Sequence, residues 1–192
     1  MAAPLSRPFF ARPTLQVARD LLGTRLVHLE NGVRLSGIIV EIEAYIGETD
    51  LGCHAKAGLT PRTAPMYGPP GHAYVYFTYG MHWLFNCITE REGFPAAVLI
   101  RAIEPTEGLQ IMAARRDGRP RRDWANGPAK LTQAMGIGPM HNTLDLCAPD
   151  SQLSLEPDVP IPEPRVTTSP RVGLYTVPEP WKSIPWRFSA IG

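Results

Sequence analysis

The strongest constraint on the fold is a tight turn, Asn31-Gly32, placed between two runs of strand-forming residues. The run 24–30 precedes the turn, and the second run extends from Val33 through Tyr45. An Asn-Gly pair between such runs is a strong signal for a two-residue β-hairpin. Strands joined in this way pair antiparallel, whereas parallel strands need a long crossover connection. The pattern therefore favours an antiparallel sheet.

A second predicted hairpin is rich in aromatic residues and is centred on Gly80. Strands over 73–79 and 82–88 flank it, and the apolar run 96–103 predicts one more strand. The chain lacks a repeated β-α-β rhythm and contains no GxGxxG motif, which argues against a Rossmann fold. We therefore predict an α+β fold: a single domain over 1–192 with a mainly antiparallel β-sheet, a protruding β-hairpin and surrounding helices.

Helical periodicity predicts three helices, over 14–22, 106–116 and 128–135. Thr14 is the expected N-cap of the first helix, and Gly23 is expected to end it. The third begins with a proline, a residue favoured at the first helical position. These helices are expected to surround the sheet.

The C-terminal part of the chain contains nine prolines between Pro149 and Pro185. Such a density of proline is unusual for regular structure. We expect an irregular tail that wraps the core, with a loosely ordered segment as the alternative.

Composition excludes several classes of protein. With 44% hydrophobic and 19% charged residues, the chain is globular and not disordered. No apolar run approaches the roughly 20 residues that span a bilayer, so no membrane partner is expected. Three cysteines, an odd number, argue for a reducing compartment. The N-terminus shows neither a signal-peptide pattern nor a basic extension, which suggests a bacterial-type minimal form in the cytoplasm.

The net charge of +1 is only weak evidence against a nucleic-acid partner. Of the 19 basic residues, 16 are arginine, whose planar fork binds phosphate and stacks on bases. Five of these arginines lie within 115–122. This cluster is either a solvated loop or part of a DNA-binding face.

Alternation along 37–45 places two glutamates on one face of a strand. The expected core face carries Ile38, Val40, Ile42 and Ala44, and the opposite face carries Ile39, Glu41, Glu43 and Tyr45. Like-charged neighbours and partial burial are the means by which proteins prepare a carboxylate as a general base. The alternative is a solvent-facing strand edge with two ordinary glutamates. Taken alone, this strand favours that alternative.

The aromatic hairpin contains Tyr74, Tyr76 and Tyr79. Tyr74 and Tyr76 share a face of the strand, while Tyr79, at the turn, is expected to project from the tip. Aromatic residues are common in strands, so packing is the usual reason for any one of them. An exposed aromatic at a hairpin tip is different, because it forms an apolar wedge that could enter a base stack.

Three further polar residues need an explanation. His54 follows a cysteine, but the other cysteines lack zinc-ligand spacing, so no metal is expected. A ligand-binding histidine is one interpretation, and the sequence alone favours the other, a core histidine. Asn86 lies between apolar neighbours and needs partners in the fold or in a ligand. Arg101 interrupts an apolar strand and needs a carboxylate, such as Glu41, or a bound phosphate.

Taken together, the segments resemble the alkyladenine (3-methyladenine) DNA glycosylase family. The matching stretches are ARDLLG (18–23), GIIVEIEAYIGETDLGCHA (37–55), TPR (60–62), PPGHAYVYFTYGMHWLFN (69–86), AVLIRAIEPTEG (97–108) and NGPAKLTQAMGI (126–137), with a weaker similarity in RVGL (171–174) and WRF (186–188). The ordered combination is highly specific, although any one piece would be weak.

The resemblance implies a monofunctional DNA glycosylase that flips out alkylated or deaminated purines. It would hydrolyse the N-glycosidic bond with a glutamate-activated water and so initiate base excision repair. It implies double-stranded DNA containing damaged purines as the partner, no cofactor, and a monomer that is associated with the nucleoid through its substrate. The alternative function is a non-catalytic nucleic-acid-binding module.

The resemblance also implies a role for each matching residue. Glu43, and not Glu41, would be the general base, and Arg101 would lie near the nucleophilic water and the DNA backbone. The base pocket would consist of Tyr45, His54, Tyr76 and Asn86, with Asn86 excluding the exocyclic amino group of guanine. Tyr79 would intercalate into the stack, and Met81 and Leu99 would contact the groove or surround the pocket.

Overall fold

The computed structural model describes residues 2–191 and contains one mainly antiparallel sheet in an α+β arrangement, as expected. Its strands are β1 (Arg25–Glu30), β2 (Val33–Ile46), β3 (Ala73–Thr78), β4 (His82–Ile88), β5 (Ala96–Glu107), β6 (Leu153–Glu156), β7 (Val166–Ser169) and β8 (Arg187–Ala190). The order is β3-β4-β5-β2-β1-β6, and β8 pairs with both β2 and β7. The long strand β2 thus contacts β1, β5 and β8, which places it at the centre of the sheet.

Both predicted hairpins are confirmed. In the first, Asn31 and Gly32 have φ of 50° and 78°, the left-handed conformation that an Asn-Gly turn adopts readily. In the second, Tyr79 and Gly80 have φ of 51° and 66° at the turn between β3 and β4. Positive φ is uncommon for a tyrosine. The turn therefore holds Tyr79 in a backbone conformation that few residues of its type adopt.

The register between β2 and β5 corrects the predicted core face of β2. Ile39 pairs with Ile103 but Glu41 pairs with Ala102, so Val40 is an extra residue without an opposite partner. This β-bulge shifts the alternation by one, because a bulged strand needs one more residue to cover the same distance. Consequently Ile39 is fully buried in the core, together with Ile42 and Ala44. Ile38 and Val40, which the sequence placed on the core face, are only half-buried.

A second irregularity in the same strand pair concerns Arg101. The register passes from Glu41–Ala102 to Ile42–Ile100, which leaves Arg101 without an opposite residue on β2. Bulges of this kind re-aim a side chain and are frequent next to active sites. This one lies at the position where the sequence contained an unexplained charge in an apolar strand.

Residues 2–191 contain four α-helices beside the sheet: α1 (Arg7–Phe10), α2 (Thr14–Leu21), α3 (Leu109–Arg115) and α4 (Pro128–Met135). The helix α4 has the predicted bounds and packs on β4 and β5, while α2 packs on β2. The core consists of the apolar side chains between these helices and the sheet.

Two details of the predicted helices are wrong. Pro13, and not Thr14, is the N-cap of α2; Thr14 lies inside the helix, where its N–H and hydroxyl both donate to Glu90. The predicted helix over 106–116 begins only at Leu109, because β5 continues through Glu107 against β2 and Gly108 turns the chain with a φ of 70°. Long-range pairing with β2 thus overrides the local helical pattern.

The proline-rich segment 149–185 is largely irregular, as expected, but it also contains two short strands. Strand β6 extends the sheet beside β1, and β7 pairs with β8, which follows the segment and itself pairs with β2. Pairing at sheet edges suits such a segment, because proline is tolerated at the ends of edge strands. No helix within 2–191 is long and apolar enough to cross a membrane.

Candidate active site

One row of paired residues crosses five strands of the sheet. Tyr74 on β3 pairs with Asn86 on β4, Asn86 pairs with Leu99 on β5, and Leu99 pairs with Glu43 on β2. Glu43 in turn pairs with Arg187 on β8. Residues in register across a sheet lie side by side. The sheet topology therefore brings together positions that are far apart in the sequence.

A cavity of about 310 Å³ opens above this row. Its wall combines residues from β2, β3, β4, β5, the loop after β2 and the segment before β8. The sequence-predicted residues that line it are Glu43, Tyr45, His54, Tyr76, Tyr79, Asn86, Leu99 and Arg101. Eight of the nine predicted site residues thus surround one cavity; Met81 is the exception.

The Glu43 carboxylate lies at the base of the cavity and is fully buried. The Tyr45 hydroxyl donates a 2.8 Å hydrogen bond to Oε2, and the Val172 backbone N–H donates a 2.6 Å hydrogen bond to Oε1. Arg101 Nη1 lies 3.2 Å from Oε2. Two hydrogen-bond donors and one guanidinium thus surround the Glu43 carboxylate. A solvent-facing strand edge, the alternative from the sequence, does not describe this residue.

Arg101 joins the two glutamates of β2. Its Nε donates a 2.8 Å hydrogen bond to Glu41, while its Nη1 faces Glu43. Arg187 also donates to Glu41, at 3.1 Å. Burial by itself would lower the pKa of Arg101, but the negative charges of Glu43 and Glu41 outweigh it, so the pKa lies above its ordinary value. Arg101 is therefore held as a cation between two carboxylates.

Aromatic rings form one wall of the cavity. The rings of His54 and Tyr76 meet edge to face with centroids 4.5 Å apart, and Tyr74 lies 5.2 Å from Tyr76. Burial raises the pKa of Tyr74 to about 12 and also raises that of Tyr76. Burial, together with the charge of Glu43, raises the pKa of Tyr45. These phenols are therefore protonated at neutral pH.

His54 is a neutral imidazole at neutral pH. Its burial, and then the positive charges of Arg62 and Lys56, lower its pKa from 6.5 to about 4. Its Nδ1 lies 3.1 Å from the Tyr74 hydroxyl, which fixes the ring against the aromatic wall. His54 is thus packed against the aromatic wall and also lines the cavity. It combines the features of a core histidine and of a ligand-binding one, the two interpretations that the sequence offered.

Asn86 is buried, and its Nδ2 donates a 3.0 Å hydrogen bond to the backbone carbonyl of Tyr74. That hydrogen bond fixes the orientation of the amide beside the cavity. Leu99, its neighbour in the row, is also buried and contributes an apolar surface.

The tip of the second hairpin extends beyond the cavity. Tyr79 is 84% exposed and Met81 is 67% exposed, so the tip presents two large apolar side chains to solvent. Tyr79 also borders the cavity, whereas Met81 does not. Isolated exposed apolar residues are common, but two on one turn beside a cavity suggest a surface for a partner.

The segment before β8 supplies functional residues that the sequence analysis did not identify. Val172, Gly173 and Leu174 line the cavity, and Val172 contacts Glu43 directly. The preceding residue, Arg171, forms a fully buried ion pair with Asp50. The only sequence signal for this contribution was the weak similarity in 171–174.

The arginine cluster does not belong to the cavity. Arg115 is paired with Glu30, Arg116 donates to Gln133, and Arg121 donates to the carbonyl of Pro105. Within 2–191, no residue of the range 115–122 lines the cavity. Three of its five arginines are therefore engaged in contacts within the protein, as the solvated-loop interpretation allows.

Similarity to known proteins places the chain in a class of enzyme: the DNA glycosylases, hydrolases that cut the bond between a base and its sugar. A family model described as methylpurine-DNA glycosylase matches residues 8–192, nearly the whole chain. The chain belongs to the methylpurine-DNA glycosylase family. This membership confirms the resemblance seen in the sequence and sets aside a module without catalytic activity.

Individual relatives agree with the family model, and each is named "Putative 3-methyladenine DNA glycosylase". One from Myxococcus xanthus is 51% identical over 170 residues, which cover 88% of this chain and 81% of the relative. One from Methanocella arvoryzae is 48% identical over 185 residues, 96% of this chain and 90% of the relative. One from Rhodopseudomonas palustris is 45% identical over 192 residues, 100% of this chain and 89% of the relative.

Proposed function

We propose that the chain is a monofunctional DNA glycosylase for alkylated or deaminated purines in double-stranded DNA. It flips the damaged base into the cavity and hydrolyses the N-glycosidic bond with a water activated by Glu43, which leaves an abasic site and initiates base excision repair. The observation that carries this proposal is the buried Glu43 carboxylate in an aromatic-walled cavity. A domain that only binds DNA has no need for a carboxylate in that position.

The hydrogen bonds of Glu43 indicate where the water binds. A carboxylate has about four acceptor positions, two on each oxygen. Tyr45 occupies one position of Oε2 and Val172 one position of Oε1, while Arg101 Nη1 lies 3.2 Å from Oε2 as an ion-pair contact. The remaining position of Oε1 is free to accept a proton from a water that attacks the sugar carbon. The same negative charge stabilises the oxocarbenium-like sugar as the base departs.

Arg101 holds this carboxylate in place through an ion-pair contact of 3.2 Å. Because its other partner is Glu41, a second carboxylate balances its charge and the positive charge that develops on the sugar is not opposed by an unpaired cation. We assign Glu43 and Arg101 as the catalytic residues.

The aromatic wall suits the damaged base. Alkylation at a ring nitrogen makes a purine cationic, and cations bind to aromatic faces. Tyr45, His54 and Tyr76 supply three such rings, and the neutral His54 does not repel the positive charge. A neutral deaminated purine would instead use the protonated phenols as hydrogen-bond donors.

Two further residues act on the DNA and on selectivity. Tyr79, exposed on the hairpin tip, fills the gap that the flipped base leaves, and Met81 beside it contacts the groove. Asn86 is held rigidly by Tyr74 and excludes the exocyclic amino group of guanine, with Leu99 forming the adjacent wall.

Hydrolysis by water requires no amine nucleophile, and the lysines fit that proposal. Lys56, Lys130 and Lys182 are the three lysines of the chain, and none lines the cavity as the structure describes it. Lys130 instead donates a 2.8 Å hydrogen bond to Asn126.

We propose an enzyme that acts as a monomer, in the cytoplasm, on nucleoid DNA.

Product analysis tests this proposal. Duplex DNA carrying a single 3-methyladenine, 7-methylguanine or hypoxanthine is incubated with the protein, and the free base and alkali-labile sites are quantified. We expect equal amounts of both, an intact strand before alkali, and no protein–DNA adduct after borohydride. Strand cleavage before alkali together with a borohydride-trapped adduct would indicate an amine nucleophile and contradict hydrolysis by water.

A further inference from the structure

A fully buried ion pair lies directly behind the proposed catalytic carboxylate. Arg171 donates to both oxygens of Asp50, with N–O distances of 2.5 and 2.8 Å, and the side chains of both residues are 0% exposed. Asp50 also accepts hydrogen bonds from the backbone N–H groups of Ile46 and Gly52. The carboxylate is thus surrounded by donors from two separate parts of the chain.

Arg171 connects these parts to the end of the chain. Its Nη1 donates to the carbonyl of Ala44 and its Nη2 to that of Trp181. Its guanidinium also lies over two rings, 4.6 Å from the centroid of Tyr45 and 5.2 Å from that of Trp186. One side chain thereby fixes β2, the loop after it and the C-terminal segment relative to one another.

Stability alone does not explain this pair. Burying two charges costs several kcal/mol, and exchanging a buried ion pair for apolar residues is often neutral or even stabilising. Arg171 Nε, moreover, has no hydrogen-bond partner within 2–191, which adds to the cost. A role in orientation accounts better for an arrangement with such geometric precision.

The residue after Arg171 is Val172, whose backbone amide contacts the proposed catalytic carboxylate. Val172 donates its N–H to Glu43 Oε1 at 2.6 Å, although the Val172 side chain is partly exposed and the residue belongs to no strand or helix. Gly173, which follows, has a φ of 83°. Val172 and Gly173 form only a short turn, and the buried side chain of Arg171 anchors the residue directly before the Val172 amide.

We propose that Arg171 and Asp50 are positioning residues for Glu43: they hold the Val172 amide against the carboxylate and thereby leave one acceptor position on Oε1 for the attacking water. This inference rests on the proposed function of Glu43. Gly52 supports it from the other side, because a Cβ at that position would lie 2.8 Å from Arg171 Nη2 and 3.2 Å from Asp50 Oδ1. The chain packs against the ion pair with no room for a side chain.

The test uses Asp50→Asn combined with Arg171→Gln, which removes both charges together and leaves no unpaired buried ion. Arg34→Gln is the matched control, because Arg34 pairs with the buried Glu156 at a place that does not line the cavity. Single-turnover base release from lesion duplex DNA gives the rate constant of the chemical step, and fluorescence anisotropy gives the affinity for the same DNA.

We expect the double variant to release base on the order of 10- to 100-fold more slowly with lesion-DNA affinity nearly unchanged, because a small misplacement of a catalytic group lowers the rate of chemistry. The control is expected to lose thermal stability but to keep the wild-type rate constant. A folded double variant with the wild-type rate constant would overturn the inference.

A second pair of variants decides the matter if the double variant does not fold. Val172→Pro removes the N–H and restricts the backbone at 171–172, whereas Val172→Ala retains the N–H at the same exposed position. We expect a clearly larger loss of rate with proline, and equal rates would contradict the inference. The proposed function fails differently, since the wild-type protein would then release no base, or release it equally with Glu43→Gln.

Discussion

The backbone amide of Val172 donates a 2.6 Å hydrogen bond to Glu43, a residue 129 positions earlier in the chain. The contact connects the central strand of the sheet with a segment that has no regular structure of its own. The geometry of the proposed general base therefore depends on the C-terminal part of the chain as well as on the strand that carries it.

Replacing Tyr79 tests the role of the hairpin tip. We expect Tyr79→Ser to weaken binding of lesion-containing duplex DNA about tenfold, because an aromatic ring that stacks on bases contributes roughly 1–3 kcal/mol. Release of base from a single-stranded substrate should change much less, since no stack has to be filled. Equal losses on the two substrates would show that Tyr79 is not an intercalating wedge.

The buried guanidinium of Arg101 separates two carboxylates, and its loss should affect both stability and rate. We expect Arg101→Gln to lower the free energy of unfolding by about 3 kcal/mol, because removing one partner leaves buried charges uncompensated. Adding Glu41→Gln should restore part of the stability but not the rate of base release, since Glu43 still lacks its cation. Urea denaturation and single-turnover kinetics measure the two effects; recovery of both would assign Arg101 a purely structural role.

The low pKa of His54 predicts a specific pH dependence of stability. The unfolded chain binds a proton to this residue below 6.5, whereas the folded protein binds it only near pH 4, so unfolding takes up a proton between these values. The contribution of a neutral His54 to stability is therefore complete above pH 6.5 and decreases as the pH falls towards 4.

Comparison with His54→Gln isolates this contribution, because all other titrating groups are shared. We expect the unfolding free energy of the wild-type protein to fall more steeply than that of the variant across the same pH window. Parallel curves would show that His54 ionises equally in both states.

Selectivity among purines is expected to depend on the Asn86 amide. Asn86→Ala should raise the release of 7-methylguanine relative to hypoxanthine about tenfold, because a group of that size is worth roughly 1–3 kcal/mol in a tight pocket. Leu99→Val is the control, since it enlarges the same cavity without removing the amide. A similar change of the ratio in both variants would indicate that cavity volume, and not Asn86, sets the preference.

Local sequence signals predict the strands and turns that carry this site. The two hairpins follow from their turn residues, and the position of Glu43 opposite the core follows from alternation along β2. Family motifs add which residues form the site, and eight of the nine predicted site residues line the cavity. Both kinds of signal are carried by a few neighbouring residues.

The features that the sequence does not reveal involve competition between distant segments. Val40 and Arg101 are extra residues in paired strands, and a bulge is defined only by the partner strand. Arg171 reaches Asp50 across 121 positions, and no pattern of spacing encodes such a pair. Thr106 belongs to a strand and not to a helix because its neighbours Pro105 and Glu107 pair with β2.

The most direct test of the account is single-turnover base release from duplex DNA containing 3-methyladenine, by the wild-type protein and by Glu43→Gln. The amide keeps the size of the side chain but cannot accept a proton from water, so we predict a rate at least about a hundredfold lower with DNA binding retained. Equal rates for the two proteins would remove Glu43 from the chemistry and contradict the account.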